Sequence, residues 1–338
     1  MTTWMVRAGR KGHLFDQFID EGIATIGWKD SGHIAPGTSI EKVREKFASV
    51  YTDWNPQQIV MGAGQVHRFL SAIKAGDTIV TYDPSQRVYR LGISTGKYRY
   101  DDNTESDDYA HVLGVDWQNK PIPRDDLAEK SKNSLGAIST LFKVPGHAAD
   151  DLRRTASGER NLEGSELFGE VEDSDIEATE ALTLDAVETR AADLIADKLS
   201  KLGWSEMQDL VAGVLRGMGY KTDISPKGAD RGKDIIASPD GFGFQDPRIV
   251  VEVKHRVGSA MGAPEIRAFL GGRQDGDKCL YVSTGGFTRE ARYEAERARY
   301  PLKLLTLEDL TEVILSDYDA LDAATKALIP LTRIYWPT

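Results

Sequence analysis

Residues 234–237 read Asp-Ile-Ile-Ala, and residues 248–254 read Arg-Ile-Val-Val-Glu-Val-Lys. Both runs are apolar and rich in β-branched residues, so both are predicted strands. Pro239-Asp240-Gly241, between them, supplies turn chemistry. A hairpin is therefore expected, with Asp234 brought beside Glu252. Side chains alternate along a strand, so Glu252 and Lys254 share one face while Val251 and Val253 share the other. The two charged residues then stand about 6–7 Å apart along the strand. A bare Glu-x-Lys is commonly a solvated surface pair worth little. This one lies in a run that reads as a central strand, where charges need a partner or a metal ion. Two carboxylates on neighbouring strands suit Mg²⁺, which keeps several of its waters. A metal-activated water, with a lysine two positions on to orient it or to stabilise the transition state, suits hydrolysis of a phosphodiester.

Working outward, helices and strands alternate from about Leu199. Helices are predicted at 205–218, 263–271 and 288–299, and strands at 278–283 and 302–306. This is the pattern of an α/β domain. Four ordered blocks then resemble one family. They are Met207-Gln208-Asp209-Leu210 through Gly219-Tyr220; Gly228-Ala229-Asp230-Arg231-Gly232-Lys233-Asp234-Ile235; Val251-Glu252-Val253-Lys254; and Tyr281-Val282-Ser283-Thr284-Gly285-Gly286-Phe287-Thr288. Together they are similar to the Mrr-type catalytic domain of the PD-(D/E)xK nucleases, over residues 200–312. The resemblance implies an αβββαβ core, Mg²⁺-dependent cleavage of DNA, and a place among restriction endonucleases, often those attacking modified DNA. By position it implies that Asp234 and Glu252 are metal ligands and Lys254 the catalytic lysine. Where many members carry a glutamate early in the first helix this chain has Gln208, which is kept as a weaker candidate able to hydrogen-bond a metal-bound water. The Gly-Gly-Phe-Thr segment reads equally as a phosphate-facing helix N-terminus or as a tight turn.

Residues 1–147 read as short strands around two helices, at 39–50 and 65–74, and suggest a small curved sheet or barrel. Residues 65–100 resemble the PUA-like folds that include EVE and YTH domains, an α+β small barrel. The resemblance implies a reader that holds a flipped base between aromatic rings. Trp28, Trp54, Tyr82, Tyr98 and Tyr100 are the candidate walls, and Asp83 the candidate reader of an exocyclic amine. The plain alternative for each aromatic is core packing.

Hydrophobic residues make up 40% and charged residues 28% of 338, which fits folded, water-soluble domains. No apolar run approaches the roughly 20 residues of a membrane span, and the N-terminus lacks a signal core. A single cysteine, Cys279, excludes an internal disulfide framework and reads as an inert core thiol; a cytoplasmic location is expected. The six histidines have no ligand spacing, and His255 points away from Lys254, which argues for packing. Gly228 to Lys233 is one residue short of a phosphate loop and is rejected as one. Net charge is −11, yet residues 159–197 hold 13 Asp and Glu against two Arg, so the rest of the chain is neutral overall. Basic clusters such as Lys227, Arg231 and Lys233, or Lys254 and Arg256, stay available to phosphates.

The expected organisation is a reader domain at 1–147, an acidic linker at 148–198 with a helix in its later part, and a nuclease domain at 199–338. The expected activity is modification-dependent cleavage of double-stranded DNA with Mg²⁺, by a homodimer, because one such site cuts one strand. Two alternatives stay open: a nuclease gated by a small ligand or phage signal, and a nucleic-acid-binding protein without catalysis.

Overall fold

The computed structural model describes residues 1–102, 108–137, 139–159, 184–225 and 234–334. The rejected phosphate loop, the basic cluster at 227–233 and most of the acidic stretch lie outside these residues. Two compact units are present: Met1–Pro84 with Val88–Arg190, and Ser85–Arg87 with Ala191–Thr338.

The first unit runs β1 (Thr3–Val6), α1 (Phe15–Glu21), β2 (Ile23–Ile26), α2 (Ile40–Val50), α3 (Pro56–Ser71), β3 (Thr78–Asp83), β4 (Val88–Tyr100), β5 (His111–Trp117), β6 (Ile122–Pro123), α4 (Glu129–Leu135), β7 (Leu141–Lys143) and α5 (Gly146–Ser157). Its seven-stranded sheet has the order β2-β5-β4-β3-β1-β7, with β6 on β4. Alternation in β1 shows why both faces are covered. Trp4 and Val6 enter a core with Phe18, Phe47, Phe69 and Ile79, while Met5 enters a second with Val80, Tyr82, Tyr89 and Leu152.

Three expectations for this unit need correction. It is not mostly β, because α1, α4 and α5 accompany the two anticipated helices. The second of those, α3, starts at Pro56 and not near 65. Asn55 and Gln58 form a reciprocal capping box with Pro56 as the first helical residue, a start signal present in the sequence and overlooked. Residues 148–157 are not linker. They belong to α5, whose Ala148, Ala149 and Leu152 are buried in the second core. Small alanines and surrounding charges hid an apolar stripe.

The second unit holds the rest of α6 (Leu184–Leu199), then α7 (Trp204–Gly217), β8 (Lys221–Ile224), β9 (Ile235–Ser238), β10 (Arg248–Lys254), α8 (Ala263–Leu270), β11 (Asp277–Ser283), α9 (Arg289–Glu296), β12 (Leu302–Thr306), α10 (Leu307–Asp317) and α11 (Ala323–Leu328). From α7 to β11 the order is helix, three strands, helix, strand, the order the resemblance implies. The five strands lie β12-β11-β10-β9-β8. β8, β9 and β10 pair antiparallel, and β10, β11 and β12 pair parallel. Parallel neighbours need crossovers, which α8 and α9 supply. Val251, Val253, Ile235 and Val282 pack into a core shared with α7 and α10. Cys279 and Tyr281, on the other face, pack with Ile266, Phe269, Phe287 and Ala291 of α8, α9 and the segment between β11 and α9.

The β9–β10 turn is built on two side chains. Ser238 Oγ accepts from the N–H groups of Gly241 and Gly243, and Asp240 accepts from those of Phe242, Gly243, Phe244 and Gln245. Among the described residues no helix is long and apolar enough to cross a membrane.

Candidate functional site

The β9–β10 pairing puts Ile235 opposite Val251. One step further, Asp234 N–H donates to the Val251 carbonyl at 2.9 Å, and Val253 N–H donates to Asp234 Oδ2 at 2.6 Å. Asp234 thus stands across from Glu252, on the same face. In such a pair the two Cβ atoms lie about 4.5–5.5 Å apart. Asp234 is 3% and Glu252 6% exposed. Carboxylates so deep in a sheet demand compensation. For Glu252 it comes from Lys254, whose Nζ lies 2.5 Å from Glu252 Oε1. The lysine is less enclosed, so the trio opens outward at the lysine end.

β11 extends the same face. Parallel register sets Tyr281 beside Glu252 and Ser283 beside Lys254. Burial first, then the carboxylates of Glu252 and Glu265, push the Tyr281 hydroxyl well above its usual range. Sequence reading missed Tyr281 and Ser283. The signal available was the register of two predicted neighbouring strands.

Gln208 is 3% exposed on α7, the helix that covers the opposite face of this sheet. It is not among the residues that strand register brings together. His255 is held on both ring nitrogens, Nδ1 to Thr284 Oγ1 at 3.1 Å and Nε2 to the Leu202 carbonyl at 2.7 Å, which is a packing role. Cys279 is buried, and burial raises its thiol pKa, as expected of an inert core residue. The Gly285-Gly286 segment is a tight turn. A Cβ on Gly285 would lie 2.4 Å or less from the carbonyls of Arg256 and Ser259. The N–H groups of Gly286 and Thr288 are taken by Ser283 and Met261 carbonyls.

Hard oxygen donors on adjacent strands are the set that Mg²⁺ or Mn²⁺ accepts. Among the described residues no group of three His, Cys, Asp or Glu is assembled. Two carboxylates with water completing the shell still satisfy Mg²⁺.

In the first unit the candidate aromatics divide. Trp28 and Trp54 border the first core and meet at α3, where a Cβ on Gly62 would lie 3.0 Å from each. Trp54 stacks on Tyr51 with ring centroids 4.4 Å apart. Trp28 adopts φ +70°, a strained region for a bulky residue. Asp108 holds it there, accepting from Trp28 N–H at 3.3 Å and Lys29 N–H at 3.1 Å. Tyr98 joins through His111, whose Nδ1 is 3.0 Å from the Tyr98 hydroxyl and whose Nε2 is 3.1 Å from Ser31 Oγ. Tyr100 donates to the Lys29 carbonyl at 2.8 Å. Burial lowers the His111 pKa to about 4 and raises that of Tyr98 to about 12. Tyr82 does not join this group, and Asp83 is buried at the end of β3. Tyr82 packs against Tyr89 in the second core, with ring centroids 4.5 Å apart and the rings tilted by 30°, on the other face of the sheet. The strand alternation that separates Tyr82 from the first core was readable in principle.

Residues 4–144 match a family described as a domain of unknown function, DUF8426. A curated relative, the uncharacterized protein y4cE of Sinorhizobium fredii (strain NBRC 101917 / NGR234), is 33% identical over 125 residues. That alignment covers 35% of this chain and 31% of the relative, so less than a third of the relative's length is matched. Similar solved structures include the MspJI restriction endonuclease in complex with a 27-mer oligonucleotide, at 14% identity over 92% of this chain and 74% of that one. Another is the DNA modification-dependent restriction endonuclease AspBHI, at 13% identity over 96% and 83%. Both have a TM-score of 0.31, at which likeness supports no conclusion. Residues 199–314, which include all of the β-sheet site, match the Mrr catalytic family described as restriction endonuclease. The C-terminal part of the chain therefore carries a restriction endonuclease domain of the Mrr type.

Proposed function

We propose that the protein is a Mg²⁺-dependent DNA endonuclease that acts on modified DNA, with Asp234 and Glu252 as metal ligands and Lys254 as catalytic lysine. The observation that carries this reading is the convergence of the three side chains on one sheet face, inside the residues that match restriction endonucleases. A divalent ion bound there supplies Lewis acidity and a more acidic water. The chain does the rest. Val253 N–H fixes the rotamer of Asp234, so one carboxylate is oriented before substrate arrives. Lys254, at the open end, brings a positive charge to the scissile phosphate, where charge grows in the transition state. The apolar residues behind the trio keep water from screening those charges.

The first unit, on this reading, inspects a flipped, cytosine-derived base with Trp28, Trp54 and Tyr98, in the manner of a PUA-like reader. A Trp held in a strained conformation by a carboxylate supports it, since such strain gathers at ligand-binding positions. One active site cuts one strand, so a double-strand break takes two copies, and a homodimer on DNA follows.

The experiment is digestion of duplexes that differ only in cytosine modification, with Mg²⁺ and with Lys254→Ala as control. Selective, Mg²⁺-dependent cutting by the wild type alone supports the reading. Equal cutting by the variant contradicts the catalytic assignment, and equal cutting of all duplexes contradicts the reader.

A further inference from the structure

Ser283 is completely buried, and its hydroxyl makes no hydrogen bond among the described residues. A buried hydroxyl without a partner is costly and calls for a reason. Its place supplies one. Parallel register sets Ser283 directly beside Lys254 on the face that carries Asp234 and Glu252. In-register neighbours lie about 4.8 Å apart across a sheet. Thr306, its neighbour on β12, has its hydroxyl committed to Asp309 at 2.7 Å. The lysine is thus the one charged side chain beside Ser283 in the two strands that flank it.

Lys254 and a divalent cation compete for the same carboxylate. With Nζ 2.5 Å from Glu252 Oε1, the ammonium occupies an oxygen that the ion needs. A cation that takes Oε1 displaces the ammonium, and a half-buried ammonium without an acceptor is unfavourable. We propose that Ser283 is a positioning residue: its hydroxyl oxygen accepts the Lys254 ammonium when Glu252 turns to a divalent cation, so that the lysine stays on the catalytic face. This inference rests on the nuclease reading and adds to it a residue that acts through Lys254 and touches neither ion nor phosphate.

The test is a double-mutant cycle read by metal binding, with no DNA present. Mn²⁺ alone is titrated into the full chain and free Mn²⁺ followed by electron paramagnetic resonance. Ser283→Ala is expected to bind Mn²⁺ about tenfold more weakly than the wild type, because a hydrogen bond to a charged group is lost. Its Tm should not fall, since the deleted hydroxyl makes no hydrogen bond among the described residues. In a Lys254→Met background the same substitution should change nothing, there being no ammonium to receive. Unchanged affinity in Ser283→Ala, or the same loss in both backgrounds, overturns the proposal while leaving the nuclease reading intact. A wild type that binds no Mn²⁺ and cuts no DNA overturns the nuclease reading and this assignment together.

Discussion

The two units bury polar groups for different ends. In the first, many buried side chains satisfy one another or the backbone, although the Thr25, Thr81 and Thr155 hydroxyls make no hydrogen bond among the described residues. Asp77 accepts from Thr2 N–H, Lys74 N–H and the Trp4 indole. Gln65 binds Ser139 and the Leu141 N–H, and His111 bridges Tyr98 and Ser31. In the second unit, Asp234, Glu252 and Lys254 gather where β9 begins and β10 ends, beside a serine whose hydroxyl makes no hydrogen bond among the described residues. Polar groups tied into a fold stiffen it. Polar groups massed at strand ends, with one member reaching outward, are placed to act on something else.

Breaking that contrast should give effects of graded size. The largest belongs to the sheet site. Asp234→Asn, Glu252→Gln and Lys254→Ala should each lower single-turnover cleavage by about 100-fold or more. Asp234→Asn and Glu252→Gln should keep a Tm close to that of the wild type, whereas Lys254→Ala, which strips the buried Glu252 carboxylate of its partner, should also lower the Tm.

Next comes acid sensitivity. Burial depresses the His111 pKa to about 4 in the folded chain, below the unfolded value of about 6.5. Between those values the unfolded chain binds the extra proton. Stability should therefore be fully present above pH 6.5 and fall as pH drops towards 4, by on the order of 2–3 kcal/mol. Denaturant unfolding followed across this range should show the loss, and His111→Asn should flatten it.

Gly62→Ala sharpens the contrast from the packing side. A methyl there would press on Phe47 at 2.8 Å and on Trp28 and Trp54 at 3.0 Å. Overpacking of this kind costs about 1–3 kcal/mol. Calorimetry should place the loss in the first unit and leave the transition of the second unchanged. The smallest effect is expected for Trp28→Ala, which should reduce the preference for modified over unmodified duplex about tenfold through lost stacking. Cleavage of a saturating substrate should persist.

The second unit was more legible than the first. Its sheet site is local in sequence: strand alternation alone puts Glu252 and Lys254 together, and one turn adds Asp234. What escaped notice there was the polar edge strand β8, whose Lys-Thr-Asp-Ile has no apolar run, and the helices α10 and α11. Their starts were nonetheless signalled, by the Thr306–Asp309 capping box and by Asp322 accepting from Thr325 N–H. Ser283 has no local mark, because its meaning comes from the register of its strand against another some thirty residues earlier. In the first unit the aromatics were visible and their grouping was not. Trp28 and Tyr82 look alike as residue types, but they belong to cores on opposite faces of one sheet; alternation along β3 assigns Tyr82, while the place of Trp28, beyond the end of β2, follows from long-range pairing. The Asp108 grip on Trp28 spans eighty residues and leaves no local mark.

The most direct test of the central claim is the rate at which Mg²⁺ supports cleavage of a modified supercoiled plasmid by wild-type protein and by Lys254→Ala. The account predicts cutting by the wild type that stops when the metal is chelated, and a rate lower by about 100-fold or more in the variant. A variant as fast as the wild type, or cleavage indifferent to chelation, would contradict it.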